Sequence, residues 1–488
     1  MDGRYRLRVR NFGPIRDAEV EIRPLTVFVG PSNTGKSYLA GLLYALHRAL
    51  GPAGGGDPLG LLLRRFSRRE ELDEELQRDV ALWLDTTVER RVRLPATLAA
   101  RVYEDLNQSS LGATLAQEVA RCFGVENTAA LVRHSSRPLT ASLDVVVAQA
   151  KDEARLRAAL NPNAKSPSVD VDVGAHRFSL RELQQLREED DLPSEGLFAG
   201  LTSAAARVID GVTHNVFHTA FRPLRDSAYF LPADRTGVMH SHHVIVSALL
   251  QRASLAGIRR FDGVPMLSGV MADFLDVLVS HVSQLNRWPG RSEGTPELAE
   301  GIEQRVLNGR VQVNAGEVGY PAFSYRPSGW RQDLPLMRAS SMVSELAPVV
   351  LYLRHVVRKG DLLIIEEPES HLHPAKQTTF ARELAAIVNA GVRVVITTHS
   401  EWFLEQIGNL VRAAELPVGK RESTNAALKA EDVGAWLFQD TDGEGSTVSE
   451  IKVDPDTGLF PTDYGPVSDA LYNEHAAIFN ALEGDSDE

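Results

Sequence analysis

Two periods of apolar residues run through the chain, one marking strands and the other helices. Leu25-Thr26-Val27-Phe28-Val29, Leu362-Leu363-Ile364-Ile365 and Val392-Arg393-Val394-Val395-Ile396 are apolar almost throughout, as strands covered on both faces of a parallel sheet must be. Arg4-Tyr5-Arg6-Leu7-Arg8-Val9-Arg10 alternates instead, so a strand there sets four guanidinium groups on one face and apolar groups on the other. Residues 18–22 and 227–231 extend the strand set, and 310–313 with 322–326, turning at Pro327-Ser328-Gly329, predict an antiparallel hairpin. Spacing of three and four predicts helices over 38–46, 59–88, 96–106, 111–123, 180–188, 197–221 and 467–482, while 139–147 and 168–178 look extended. A Gly/Pro break at Gly51-Pro52-Ala53-Gly54-Gly55-Gly56-Asp57-Pro58 reads as an exit from the first unit.

The decisive punctuation is Gly30-Pro31-Ser32-Asn33-Thr34-Gly35-Lys36-Ser37, lying between a buried strand and a buried helix that begins with Tyr38. This is a complete phosphate-binding loop in its required context. The glycines let the backbone curl so that N–H groups and the helix N-terminus face a phosphate. Lys36 neutralises the β/γ oxygens and Ser37 offers its hydroxyl to Mg²⁺. A second polar end closes the strand 362–365: Glu366-Glu367-Pro368-Glu369-Ser370-His371-Leu372-His373-Pro374. Two successive carboxylates suit Mg-nucleotide hydrolysis, Glu366 holding the metal's water shell and Glu367 orienting and deprotonating the attacking water. The third buried strand ends in Thr397-Thr398-His399-Ser400, which places the His399 imidazole near a γ-phosphate.

These motifs give an α/β fold, a P-loop NTPase with a mixed sheet, split by a large mainly helical insertion. Its expected parts are 1–50, the first half of the nucleotide domain; 51–225, the insertion; 226–260, a core strand and helix; 261–330, a helical and hairpin subdomain; 331–425, the second half of the nucleotide domain; and 426–488, strands, a helix and an acidic tail.

Composition narrows the setting. With 52 basic and 65 acidic residues the net charge is −13, so nucleic acid or anionic lipid would need a local basic patch. The arginines at 4, 6, 8 and 10 are one candidate, with a solvated strand face as the blander account. Arg64, Arg65, Arg68 and Arg69 run straight into acidic residues and read as helix ion pairs. No apolar run is long enough for a membrane span and no secretion signal opens the chain, so a cytoplasmic protein is expected. The single cysteine, Cys122, excludes an internal disulfide and a cysteine-based zinc cluster. His240-Ser241-His242-His243 suggests a metal site by composition or helix-start histidines by position. Arg235, past the strand 227–231, could face a ligand or pair with a carboxylate.

The motifs in this order, with Val9-Arg10-Asn11-Phe12-Gly13-Pro14-Ile15 ahead of the loop, resemble the ABC-type ATPase heads of SMC, RecF-like and overcoming-lysogenisation-defect proteins. The resemblance implies ATP and Mg²⁺ as ligands, Glu366 and Glu367 as the Walker B pair, 370–374 as the D-loop region and His399 as the switch histidine. It also implies a homodimer closing on ATP, with a serine-rich signature from one head covering the γ-phosphate of the other. The best match for that signature is Ala339-Ser340-Ser341-Met342-Val343-Ser344-Glu345-Leu346, which lacks the usual glycines. Ser341 is its candidate phosphate contact. A separate effector protein or DNA is the implied partner, in phage defence or DNA maintenance. Asp440-Thr441-Asp442 echoes a Toprim nuclease motif but reads as a hairpin turn between strands 435–438 and 446–453. A nucleotide-dependent scaffold with little turnover is the alternative.

Overall fold

Strands that are apolar throughout lie side by side in the parallel half of one sheet, and the strands Tyr5–Phe12 and Ile15–Ile22, which alternate, lie in its antiparallel half. In the computed structural model the described residues are 3–51, 78–83, 91–93, 95, 97–98, 101, 112–135, 138–148, 153–160, 168–172, 177–179, 221–242, 245, 267–281, 295–315, 321–417, 426–441, 443–459 and 465–484. Eleven of the described strands form this sheet: β1 (Tyr5–Phe12), β2 (Ile15–Ile22), β3 (Leu25–Val29), β4 (Ala141–Ala148), β5 (Glu153–Leu160), β6 (Ser168–Asp172), β7 (Ala228–Leu231), β8 (Leu362–Glu366), β9 (Arg393–Thr398), β10 (Val433–Asp440) and β11 (Ser446–Ile451). Their order is β6-β5-β4-β1-β2-β11-β10-β3-β9-β8-β7. From β10 to β7 every pairing is parallel, and from β6 to β2 every pairing is antiparallel. Strand β11 joins the halves, antiparallel to β10 and parallel to β2.

The parallel half is covered on both faces. Phe28, Leu362, Ile364 and Val395 point towards helix α1 (Lys36–Leu50), while Val27, Val29, Leu363, Ile365 and Ile396 point the other way, towards α5 (Ser341–His355), α6 (Pro374–Asn389) and α7 (Glu401–Ala414). Each of these strand side chains is fully buried, worth about 1.5–3 kcal/mol apiece. Further helices are α2 (Gly112–Phe123), which packs on α1, α3 (Gly269–Asp276), α4 (Pro296–Ile302) and α8 (Gly465–Gly484). Buried His47 of α1 meets the Tyr5 hydroxyl at 3.0 Å and the Asp226 carbonyl at 3.2 Å, tying the loop helix to β1 and to the approach of β7. Burial holds its imidazole down at about 3, so it stays neutral.

The segment 51–225 was expected as a mainly helical insertion, but its described strands β4, β5 and β6 widen the main sheet outward from β1. The extended stretches 139–147 and 168–178 and the helix 111–123 are found close to where the pattern set them. Most of the helical stretches 59–88, 96–106, 180–188 and 197–221 lies outside the described residues. The hairpin of Gly309–Ala315 with Pro321–Pro327 forms, but Ala315 pairs with Pro321 and Gly309 with Pro327, so Pro327-Ser328-Gly329 does not join its two strands and leads instead to a third, Leu334–Pro335. Among the described residues no helix is long and apolar enough to cross a membrane.

Candidate functional site

The loop between β3 and α1 is held in a shape that glycine permits. Gly30 has φ 135°, and a Cβ there would stand 2.2 Å from the Phe438 carbonyl oxygen on β10. Gly35 has φ 97° with Ile15 2.7 Å from its would-be Cβ. Thr34 donates its hydroxyl to the Pro31 carbonyl at 2.8 Å, and buried Ser446 of β11 donates to the Thr34 carbonyl at 2.5 Å. Thus the C-terminal hairpin braces the loop from outside. Pro31, Ser32 and Asn33 form its exposed crest. The Lys36 ammonium is folded inward, donating to the carbonyls of Gly30 at 2.8 Å and Pro31 at 2.6 Å. Tyr38 packs its ring 6.1 Å from Phe12 and 5.3 Å from Phe123, against Gly13, so its described contacts are with the fold.

Strand β9 lies between β3 and β8, and all three run parallel, so their carboxyl ends meet. Here the Ser37 hydroxyl faces the Glu366 carboxylate, which accepts the Ala233 N–H at 3.2 Å. Burial raises the Glu366 carboxyl above the usual range, and the neighbouring Ser37 hydroxyl and Ala233 N–H oppose the rise. A hydroxyl and a carboxylate are hard oxygen donors, the chemistry Mg²⁺ takes when it keeps most of its waters. The pair fits the ion on donor type.

The neighbouring Glu367 sits at φ 42°, a left-handed conformation uncommon for a residue with a side chain. Its N–H is held by the Thr397 carbonyl at 2.9 Å and the Thr397 hydroxyl at 3.2 Å. Its carboxylate accepts the Ser370 hydroxyl at 3.2 Å and stands 3.7 Å from the His399 Nε2. The expected base and the expected switch histidine therefore face each other, both partly exposed.

Two residues outside the expected set hold this arrangement. Glu369 is buried, and one of its oxygens accepts both the Thr398 hydroxyl and the His399 N–H at 2.7 Å, binding the turn after β8 to the end of β9. Its other oxygen has no hydrogen-bond partner among the described residues, and burial raises its carboxyl above the usual range. The available signal was a third carboxylate two residues after the pair. Arg235 is fully buried, and of its two sequence readings the ion pair is the one found, at 2.5 Å from Glu345 of α5. It also donates to four carbonyls, those of Pro232 at 2.9 Å, Glu366 at 2.6 Å, Glu367 at 3.2 Å and Glu345 at 3.1 Å.

Ser340 caps α5, its hydroxyl accepting the Val343 N–H at 3.4 Å, and Ser341 is exposed in the first turn. The β1 arginines keep their alternation but are matched by carboxylates. Arg4 pairs with Asp432, Arg8 with Asp17 and Glu19, and Arg10 with Asp17. His240 meets the Ser344 hydroxyl, and buried His242 lies between the Met239 and Pro321 carbonyls. No three metal-ligating side chains cluster among the described residues. The Asp440 to Ser446 connection is the expected hairpin turn. A cavity of about 510 Å³ lined by Glu300, Glu303, Arg310, Arg326 and Trp330 touches none of the expected site residues.

Residues 295–404 match the family model described as AAA ATPase domain, a span holding Ser341, Glu366, Glu367 and His399. No curated protein matches the sequence. Similar solved structures include an SMC head domain from Thermotoga maritima (11% identity, TM-score 0.36, covering 92% of this chain and 98% of that chain). Others are an Smc head bound to the C-terminal winged-helix domain of ScpA (11%, 0.39, 92% and 97%) and an Smc head with an extended coiled coil bound to the C-terminal domain of ScpA derived from Pyrococcus furiosus (10%, 0.41, 92% and 96%). The α/β sheet agrees with the fold read from the sequence, and over residues 295–404 the chain is similar to AAA ATPase domains.

Proposed function

We propose that this chain binds Mg-ATP at the β3–α1 loop, hydrolyses it, and works as an ATP-gated homodimer that passes its state to a separate effector protein or to DNA. One observation carries the reading: the Ser37 hydroxyl faces the Glu366 carboxylate while the next residue, Glu367, faces His399 across 3.7 Å. Loop N–H groups from Gly30 to Ser37 cradle the phosphates. Lys36 exchanges two neutral carbonyls for anionic oxygens, a stronger, charge-assisted bond. Ser37 and Glu366 hold Mg²⁺, which when bound supplies the positive charge that phosphoryl transfer requires. Glu367 takes the proton of the attacking water and His399 steadies the oxygen that is left. Exposed Ser341, at the N-terminus of a fifteen-residue helix, meets the γ-phosphate held by a second copy.

The same α5 terminus favours the alternative, a nucleotide-held scaffold with little turnover, because Ser340 already uses its hydroxyl to cap Val343. By resemblance, defence against phage or DNA maintenance is the setting in which such a switch serves an effector. The test is the mass of Glu367→Gln by size-exclusion with light scattering. A dimer formed with Mg-ATP and absent in Glu367→Gln carrying Lys36→Ala supports the reading. A monomer under both conditions removes the gated dimer.

A further inference from the structure

We infer that Arg235 is a positioning residue for hydrolysis, fixing the backbone of Glu367 and thereby the aim of its carboxylate; this rests on the proposed function. Glu367 carries a side chain in a left-handed conformation, a state that persists only where neighbours over-determine it. Its peptide groups are held from two sides. The N–H is bound by both oxygens of Thr397, and the carbonyl accepts Arg235 Nη2 at 3.2 Å. Arg235 Nη1 fixes the preceding carbonyl, that of Glu366, at 2.6 Å. One guanidinium therefore spans two successive peptide units of the strand end that carries both working carboxylates.

The guanidinium is itself immobile. It is 0% exposed, and it is locked to α5 by the Glu345 carbonyl and carboxylate and to the end of β7 by the Pro232 carbonyl. Thr236 donates to the other Glu345 oxygen, so the counter-charge is held too. Only a planar fork of several N–H groups can reach four carbonyls and a carboxylate at once; a lysine offers one point charge. The clamp also links Glu367 to the helix whose first turn carries Ser341.

The experiment compares Arg235→Lys with the wild type for ATP turnover, ATP affinity and thermal midpoint, and repeats the pair in a Glu367→Gln background by single-turnover kinetics. A base displaced by an ångström loses on the order of 10²-fold in rate, so kcat should fall by about that factor with KM within about twofold. In the Glu367→Gln background the same change should cost less than about threefold, because the group being aimed is gone. If Arg235→Lys does not fold, Glu345→Gln, near-isosteric and uncharged, is judged by the same criteria with about a tenfold fall in kcat expected. Unchanged kcat, or an equal loss with and without Glu367, overturns the inference and leaves the ATPase reading standing. Absence of wild-type turnover above Lys36→Ala overturns both.

Discussion

Glu369 offers a sharp test of how the site is held, because one oxygen supports two elements at once. Glu369→Ala removes the acceptor of the Thr398 hydroxyl and the His399 N–H, both 2.7 Å away, in a place where Thr398 is 0% exposed. Each buried donor left unsatisfied costs about 1–3 kcal/mol, and the sum is reduced because a buried carboxylate is also removed. A net loss of about 2–4 kcal/mol follows. For a chain of 488 residues, scaling from smaller domains gives about 1–2 °C per kcal/mol, so the midpoint should fall by about 2–8 °C. His399 loses its tether as well, so turnover should fall by about tenfold or more. Glu369→Gln keeps a carbonyl oxygen as acceptor and should stay close to wild type in both. Because burial raises the Glu369 carboxyl in the folded state, the native protein holds that proton longer than the unfolded chain, and wild-type stability falls as pH rises through this window. Glu369→Gln should weaken that slope. Scanning calorimetry from pH 4 to 8 with an ATPase assay reads all of this. An alanine variant with wild-type midpoint and turnover would refute the reasoning.

Other outcomes follow from single contacts. Gly30→Ala should prevent ATP binding, since its Cβ meets the Phe438 carbonyl at 2.2 Å; isothermal titration checks it, and wild-type affinity would contradict the loop geometry. Asp361, buried and hydrogen-bonded to the Arg358 N–H at 2.8 Å, has its carboxyl pushed up to about 6 chiefly by burial. It should therefore lower stability as pH rises from about 4 to 6, by no more than about 3 kcal/mol. Asp361→Asn should reduce that slope in melts taken across the range, and superimposable profiles would refute it. Replacing Arg8 and Arg10 by alanine should leave the salt dependence of any DNA binding unchanged, since both face Asp17. A slope reduced by one or more in a titration series would show phosphate contacts there.

The core strands and the phosphate loop were legible because their physics is local: a buried parallel strand needs an unbroken apolar run, and a tight phosphate turn needs glycine. Strand β5 was not read, although Ala154, Leu156, Ala158 and Leu160 are all buried at a period of two. Its alanines and arginines are strong helix formers, so propensity and period disagreed. The insertion of the β10–β11 hairpin between β2 and β3 is a long-range pairing that no local pattern encodes, and with it went the brace of Ser446 on the loop. Arg235 was placed correctly at a strand's carboxyl end, but its partner Glu345 lies 110 residues on. Glu369 had no role read from the sequence, and only the adjacency of β8 and β9 gives it work.

The central claim is that Glu366 and Glu367 serve a Mg-nucleotide bound by Lys36 and Ser37. It is tested most directly by steady-state ATP turnover of the wild type, Lys36→Ala and Glu367→Gln, with ATP binding measured alongside. The account predicts turnover in the wild type alone, with ATP binding kept by Glu367→Gln and lost by Lys36→Ala. Normal turnover in Glu367→Gln, or none in the wild type above Lys36→Ala, would contradict it.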